Sequence, residues 1–265
     1  MNLDKQKISN IRRFYFTVVI PALLLWAQSS VGESRFQSTV QALSVIELYT
    51  SEGCYSCPPA DRWLSALKNH AGLFTEFVPL SFHVDYWNDL GWRDTYSRAE
   101  FSQRQRRYHQ LGQVSGVYTP GMFVGGYEWR LWRNRENGRF NQRRTNDPLQ
   151  VGALTLDYTR GDARVRFNPN TKDLRPARAY VALLGVGIEA PIPAGENKGE
   201  TLHHDFVVLD LQDAKLEKKS DGTFVATLPT LHSNLIAPTY AVATWITNDR
   251  DNKPLQATGG WIVEP

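Results

Sequence analysis

The chain has 265 residues, room for one large or two small domains, and a composition ordinary for a globular protein, with many aromatics (Trp 8, Tyr 11, Phe 12). Its formal net charge is +3. Lys5, Lys7, Arg12 and Arg13, against Asp4, account for that excess, so the rest is near neutral and charge gives no reason to expect a nucleic-acid partner.

The N-terminus reads as a secretory signal. A basic segment ends at Arg12-Arg13, and the apolar run from Phe14 to Ala27 is too short to span a bilayer comfortably. Ser30 and Gly32 suit a cleavage site, with Ala27 a second candidate, and residues 1–32 are assigned as signal peptide. No cysteine lies at the junction, so no lipoprotein-type anchor is expected, and no later stretch suits a membrane helix. The alternative is an uncleaved signal anchor. Either way the body is expected in the periplasm or outside the cell, where disulfides persist, and membrane contact ends with signal cleavage.

Gln41 to Tyr49 is a buried strand by its β-branched and aromatic content. Glu47 is the exception in it: either it faces solvent at a sheet edge, the reading preferred here, or it is buried near the thiols as their proton shuttle. Next comes Ser51-Glu52-Gly53-Cys54-Tyr55-Ser56-Cys57-Pro58-Pro59-Ala60-Asp61, which holds the only two cysteines. A strand, a turn bearing C-x-x-C and a helix (Trp63, Leu64, Leu67) is the arrangement dithiol redox chemistry uses. At a helix N-terminus unpaired N–H groups and the macrodipole favour a thiolate. Cys54 is then expected to be the exposed nucleophile and Cys57 the resolving thiol. Pro58 and Pro59 fit the first helical positions, whose N–H groups have no intrahelical partner. Two alternatives are a structural disulfide and half of a metal site. A bridge over two residues removes little unfolded-state entropy, and one C-x-x-C is a poor zinc signature.

A second strand runs from Phe77 to Asp85 and leads into an aromatic loop, Tyr86 to Trp92. In a right-handed parallel unit that loop shares the rim of Cys54. His83 and Asp85 share a strand face, where they tune the thiols, bind a metal beside them or hold the loop by hydrogen bonds; the last is preferred. Trp87 and its neighbours either floor a substrate groove or are local core. A helix follows from Asp94 to Gly112, with Arg104, Arg106 and Arg107 as its solvated face. Thr119-Pro120 then enters a hydrophobic strand, which points to a cis X–Pro bond and a loop that holds substrate backbone. Met122 to Val124 and Glu128 to Trp132 form a hairpin through Gly125-Gly126. The Arg-rich stretch Arg130 to Arg144 reads as a short helix and then a linker ending near Asn146-Asp147-Pro148.

From Leu149 short alternating runs recur about seven times with turn signals between them, the pattern of an antiparallel sandwich. Gly195 to His204 is a long polar loop within it. His203 and His204 are adjacent, so on a strand they face opposite ways and make no chelate.

In combination, Val45-Ile46-Glu47-Leu48-Tyr49-Thr50-Ser51-Glu52-Gly53-Cys54, Cys57-Pro58-Pro59-Ala60-Asp61, Phe82-His83-Val84-Asp85-Tyr86-Trp87, Leu90-Gly91-Trp92, Val117-Tyr118-Thr119-Pro120 and Gly195-Glu196-Asn197 with Thr201-Leu202 resemble an exported bacterial thioredoxin-like family of unknown function. The resemblance covers roughly residues 43 to 210. It implies an α/β thioredoxin-like domain (40–148) followed by an all-β sandwich-like domain (149–265). Cys54 and Cys57 match the redox pair and Pro120 the cis-proline; Glu47 falls where thioredoxins carry a buried carboxylate. The Tyr55-Ser56 dipeptide and Pro58 depart from them, so no potential carries over.

The expectation is an exported thiol–disulfide oxidoreductase acting on protein or small-molecule thiols and disulfides. Cys54, Cys57 and Glu47 carry the chemistry; Thr119, Pro120, Tyr55 and Trp87 hold substrate; His83 and Asp85 tune the site. No cofactor and no resident metal are needed. Two rivals are a copper-handling protein using Cys54, Cys57 and His83, and a non-catalytic interaction protein in which the disulfide is a staple.

Overall fold

The computed structural model describes residues 33–134, 149–159, 162–248 and 250–262. The signal segment 1–32 and the linker around Asn146-Asp147-Pro148 lie outside the described residues. In chain order the elements are β1 (Ser34–Gln37), β2 (Ser44–Thr50), α1 (Pro58–Ser65), a 3-10 turn (Ala66–Asn69), β3 (Phe77–His83), α2 (Ala99–Gln110), β4 (Gly121–Val124), β5 (Tyr127–Glu128) and a second 3-10 turn (Arg130–Asn134). Then follow β6 (Gly152–Tyr158), β7 (Asp162–Pro169), β8 (Pro176–Val186), β9 (Ile188–Pro191), β10 (Thr201–His204), β11 (Val207–Lys215), β12 (Glu217–Lys218), β13 (Phe224–Pro229), β14 (Thr239–Asn248) and β15 (Pro254–Ile262).

The strands form an eight-stranded mixed sheet in the order β15-β14-β8-β11-β3-β2-β4-β5, a five-stranded sheet β1-β6-β7-β13-β12, and the hairpin β10-β9. This corrects the expected fold class. An α/β thioredoxin-like domain followed by a separate sandwich is not what the chain builds. The described residues are mostly strand with two α-helices, and one sheet runs through both halves. The join is β11 on β3, parallel, with Val207 opposite Ser81 and the Ser81 N–H donating to the Phe206 carbonyl at 2.8 Å. An edge strand leaves a row of unpaired N–H and C=O groups, and β11 meets the one β3 presents at Ser81. β1 likewise leaves the N-terminal half and pairs with β6.

Alternation along each strand assigns the layers, because successive side chains point to opposite faces. In β2, Glu47 and Tyr49 meet Arg104 and Tyr108 of α2, whereas Thr50 meets Asp61 of α1. The two helices therefore cover opposite faces. In β8, Val181 and Leu183 join the core shared with Leu154, Val165 and Phe167 of the five-stranded sheet, while Ala182 and Leu184 join the core of β2, β3 and the helices. α2 buries Phe101, Arg104, Gln105 and Tyr108, the i, i+3, i+4, i+7 stripe of an amphipathic helix. So Arg104, expected on a solvated face, is buried.

β2 places the functional loops. It pairs parallel with β3, Thr50 opposite His83, and antiparallel with β4, Tyr49 opposite Gly121. The chain leaving β2 toward Cys54, the chain leaving β3 toward Trp87 and the chain entering β4 from Pro120 thus emerge at one end of three adjacent strands.

Candidate functional site: a covered disulfide above a buried acid–base cluster

Cys54 and Cys57 form a disulfide with a Cα–Cα distance of 5.4 Å, within the usual range. Cys57 is the N-cap of α1, Pro58 and Pro59 are its first two residues, and the Cys57 carbonyl accepts the Ala60 and Asp61 N–H groups at 2.8 and 3.2 Å. The Cys54 sulfur lies 3.5 Å from the Ser56 hydroxyl.

Both sulfur residues are 0 % exposed, which corrects the expectation of an exposed Cys54. Residues 195–199, joining β9 to β10, form a strap across them. The Asn197 side-chain amide donates to the carbonyls of Glu52 (2.8 Å) and Cys54 (3.1 Å). The Glu196 carboxylate accepts the Tyr55 N–H at 3.1 Å. Gly195 holds φ +75° and packs so closely on Trp92 that a Cβ there would stand 2.8 Å from the Trp92 Cβ, so the turn requires glycine. Tyr55 is left 73 % exposed at the tip of the cysteine turn.

The Thr119–Pro120 bond is cis, as its position entering β4 suggests. Pro120 is buried, and the Thr119 hydroxyl accepts the Trp87 indole N–H at 2.8 Å. Trp87 also packs beside Gly53, where a Cβ would lie 3.3 Å from its own. Thr119, Pro120, Trp87 and the cysteine turn are therefore brought together. Asp85 is not, and His83 reaches the turn through Asp94, whose carboxylate also accepts the Glu52 N–H at 2.9 Å. His83 turns to Asp94, its Nδ1 2.7 Å from the carboxylate. Asp85 accepts the Ser102 hydroxyl on α2, the loop-holding role.

Glu47 is buried, not at an edge, and it is committed elsewhere. Its oxygens take Arg104 Nε and a terminal guanidinium nitrogen at 2.9 and 3.0 Å, the Tyr49 hydroxyl at 2.8 Å and the Tyr108 hydroxyl at 2.7 Å. It lies on the α2 face, away from the helix that Cys57 caps.

On the α1 face lies a cluster of which sequence reasoning named His83 alone. Asp61, one helical turn after Cys57 and on its side of α1, is buried and accepts the Thr50 hydroxyl at 3.1 Å. Burial raises its carboxyl to about 7, against the opposing field of His83. Burial alone would push the His83 ring down; Asp94, aided by Asp61 and Glu52, reverses this and raises it to about 9. Burial also works against the Asp94 carboxylate, but His83 and the Glu52 and Tyr96 N–H groups hold its pKa low. Glu52, whose carboxylate accepts the Trp92 indole N–H at 2.7 Å, is raised by burial and by Asp94. Burial and the His83 charge lower His204 to about 3, so its ring is neutral.

Among the described residues neither ring nitrogen of His204 has a hydrogen-bond partner; Glu52 and Asp61 stand 3.8 and 4.0 Å away. Leaving such groups unpaired costs about 1–3 kcal/mol each. The i+4 spacing from Cys57 to Asp61 and the place of His83 on the strand leading to the rim of Cys54 were the signals in the sequence for this cluster. Asp94, Glu52 and His204 meet only through the fold. Among the described residues no three His, Cys, Asp or Glu side chains are gathered to hold a metal ion.

Beside the strap lies a cavity of about 600 Å³, lined among others by Tyr55, Ser56, Pro58, Asp61, Asn197 and His204.

Residues 45–246 match the family described as "Protein of unknown function (DUF1223)". The chain belongs to that family. A search of curated proteins finds no match for this DUF1223 protein. Among solved structures it is similar to a crystal structure from Agrobacterium tumefaciens, 25% identical, with a TM-score of 0.55 over 83% of this chain and 94% of that one. It is also similar to HBP35 of Porphyromonas gingivalis, 15% identical, with a TM-score of 0.54 over 84% of this chain and 76% of that one, a likeness of fold alone.

Proposed function

We propose that this DUF1223 protein is an exported thiol–disulfide oxidoreductase. The observation that carries the reading is the pairing of a helix-capping Cys54–Cys57 disulfide with a buried Asp61 one turn below it. A bridge closing so small a loop contributes little to stability, and buried ionisable groups gathered behind a reactive pair are the usual mark of chemistry. A substrate thiolate attacks Cys54 Sγ, the Cys54–Cys57 bond breaks, and Cys57 leaves as a thiolate that takes its proton from Asp61. In the reverse direction Asp61 accepts the Cys57 proton as Cys57 resolves the mixed disulfide. Thr119, Pro120 and Trp87 form the wall against which substrate lies once the strap is displaced. The exported setting rests on the signal-like N-terminus.

Cys57→Ser protein mixed with a disulfide substrate is expected to hold a covalent adduct on Cys54, read by mass spectrometry, and Cys54→Ser to hold none. No adduct on either sinks the reading. Full burial of both sulfurs favours one rival, a structural staple in an interaction protein. That rival predicts a disulfide inert to thiols in the folded state.

A further inference from the structure

The cavity beside the strap has features of a built binding site. It is lined by Tyr55, Trp132, the start of α1, Asp61 and His204. His204 is 2 % exposed, and among the described residues its ring nitrogens have no hydrogen-bond partner. Two guanidiniums, Arg62 and Arg133, line the cavity against one exposed carboxylate, Glu200. Among the described residues neither arginine forms an ion pair; Arg133 lies over the Trp132 ring at 5.2 Å. A volume of about 600 Å³ suits a compact organic molecule. Ser56 lines the same cavity, with its hydroxyl 3.5 Å from the Cys54 sulfur.

We infer that this cavity binds a small carboxylate-bearing molecule, its acid on Arg62 and Arg133, and that the molecule is a low-molecular-weight thiol. The thiol identity rests on the redox reading above; the acid site does not. In the reaction two thiols are consumed. The first attacks Cys54 and displaces Cys57. The second attacks the mixed disulfide, leaving Cys54 and Cys57 reduced and the two small molecules joined as their disulfide. Two electrons pass from the small thiols to the protein bridge.

The test uses the oxidised full chain and two readouts. S-methylglutathione, which carries two carboxylates and cannot exchange, is titrated by calorimetry. One saturable site is expected, weakened at least tenfold in Arg62→Gln/Arg133→Gln. Glutathione and neutral 2-mercaptoethanol are then compared as reductants at equal thiolate concentration. Glutathione is expected to be at least tenfold faster, and that advantage is expected to vanish in the double variant. No saturable binding overturns the inference, while a bridge that all thiols reduce equally leaves the redox reading standing. Binding without a rate advantage overturns the thiol identity. A bridge that resists every thiol overturns that identity together with the redox reading.

Discussion

Glu47 and Asp61 are both buried carboxylates near the dithiol in sequence, and the face of the sheet each occupies separates their roles. Glu47 is locked to Arg104 and two tyrosine hydroxyls. Glu47→Gln is expected to destabilise the protein by about 3–5 kcal/mol, since it strands a buried guanidinium, with thiol exchange unchanged; urea unfolding and exchange rates check both. Asp61 is the reverse case. Its folded pKa of about 7 lies above the ordinary 3.8, so the protonated form is favoured by folding. The associated stability is complete below 3.8 and lost as pH rises through about 7. Asp61→Asn is therefore expected to stabilise the protein at pH 8, by at most about 4 kcal/mol. The same change is expected to slow resolution by Cys57 at least ~100-fold and remove the rise in rate toward pH 7. A stable variant with an unchanged pH profile contradicts the role given to Asp61. At this scale the cysteines and Pro120 were legible, because their spacing and neighbours constrain local geometry. The role of Glu47 was not, because strand alternation says which residues share a face and not what covers it. The burial of His204 against His83, Tyr96 and β9 was not legible, because those neighbours meet only through the fold.

The strap is the element that lies over the cysteine turn. Gly195 to His204 reads from sequence as a polar loop because β9 and β10 have four residues each, too short for alternation to register. The hairpin instead brings Asn197 onto the cysteine turn. Its two side-chain hydrogen bonds contribute about 1 kcal/mol each. Asn197→Ala is expected to speed reduction of the oxidised protein by a bulky phosphine roughly 10–100-fold, at 1.4 kcal/mol per tenfold. An unchanged rate means that the strap does not control the sulfurs. α2 shows a different limit of sequence reading. Its arginines look alike, yet Arg104 alone falls in register with Phe101 and Tyr108 and packs 5.2 Å from the Tyr180 and Trp245 rings.

For the whole molecule, the individual strands were largely legible and the architecture was not. A hydrophobic run such as Phe77 to Phe82 reads the same whether a sheet ends there or continues through β11, and that pairing spans more than a hundred residues. The composition shift near residue 149 marked a real change of pattern but no break in hydrogen bonding. One continuous sheet predicts that both halves lose structure together. Trp63 and Trp245 environments are expected to report the same urea midpoint, and two separate midpoints contradict a shared sheet.

The central claim is that the Cys54–Cys57 bridge exchanges electrons with external thiols. Its reduction potential, measured by equilibration against thiol buffers with the folded protein, tests this most directly. A reversible two-electron couple more positive than about −300 mV is the predicted result; a bridge that stays oxidised below about −300 mV, as structural disulfides do, contradicts it.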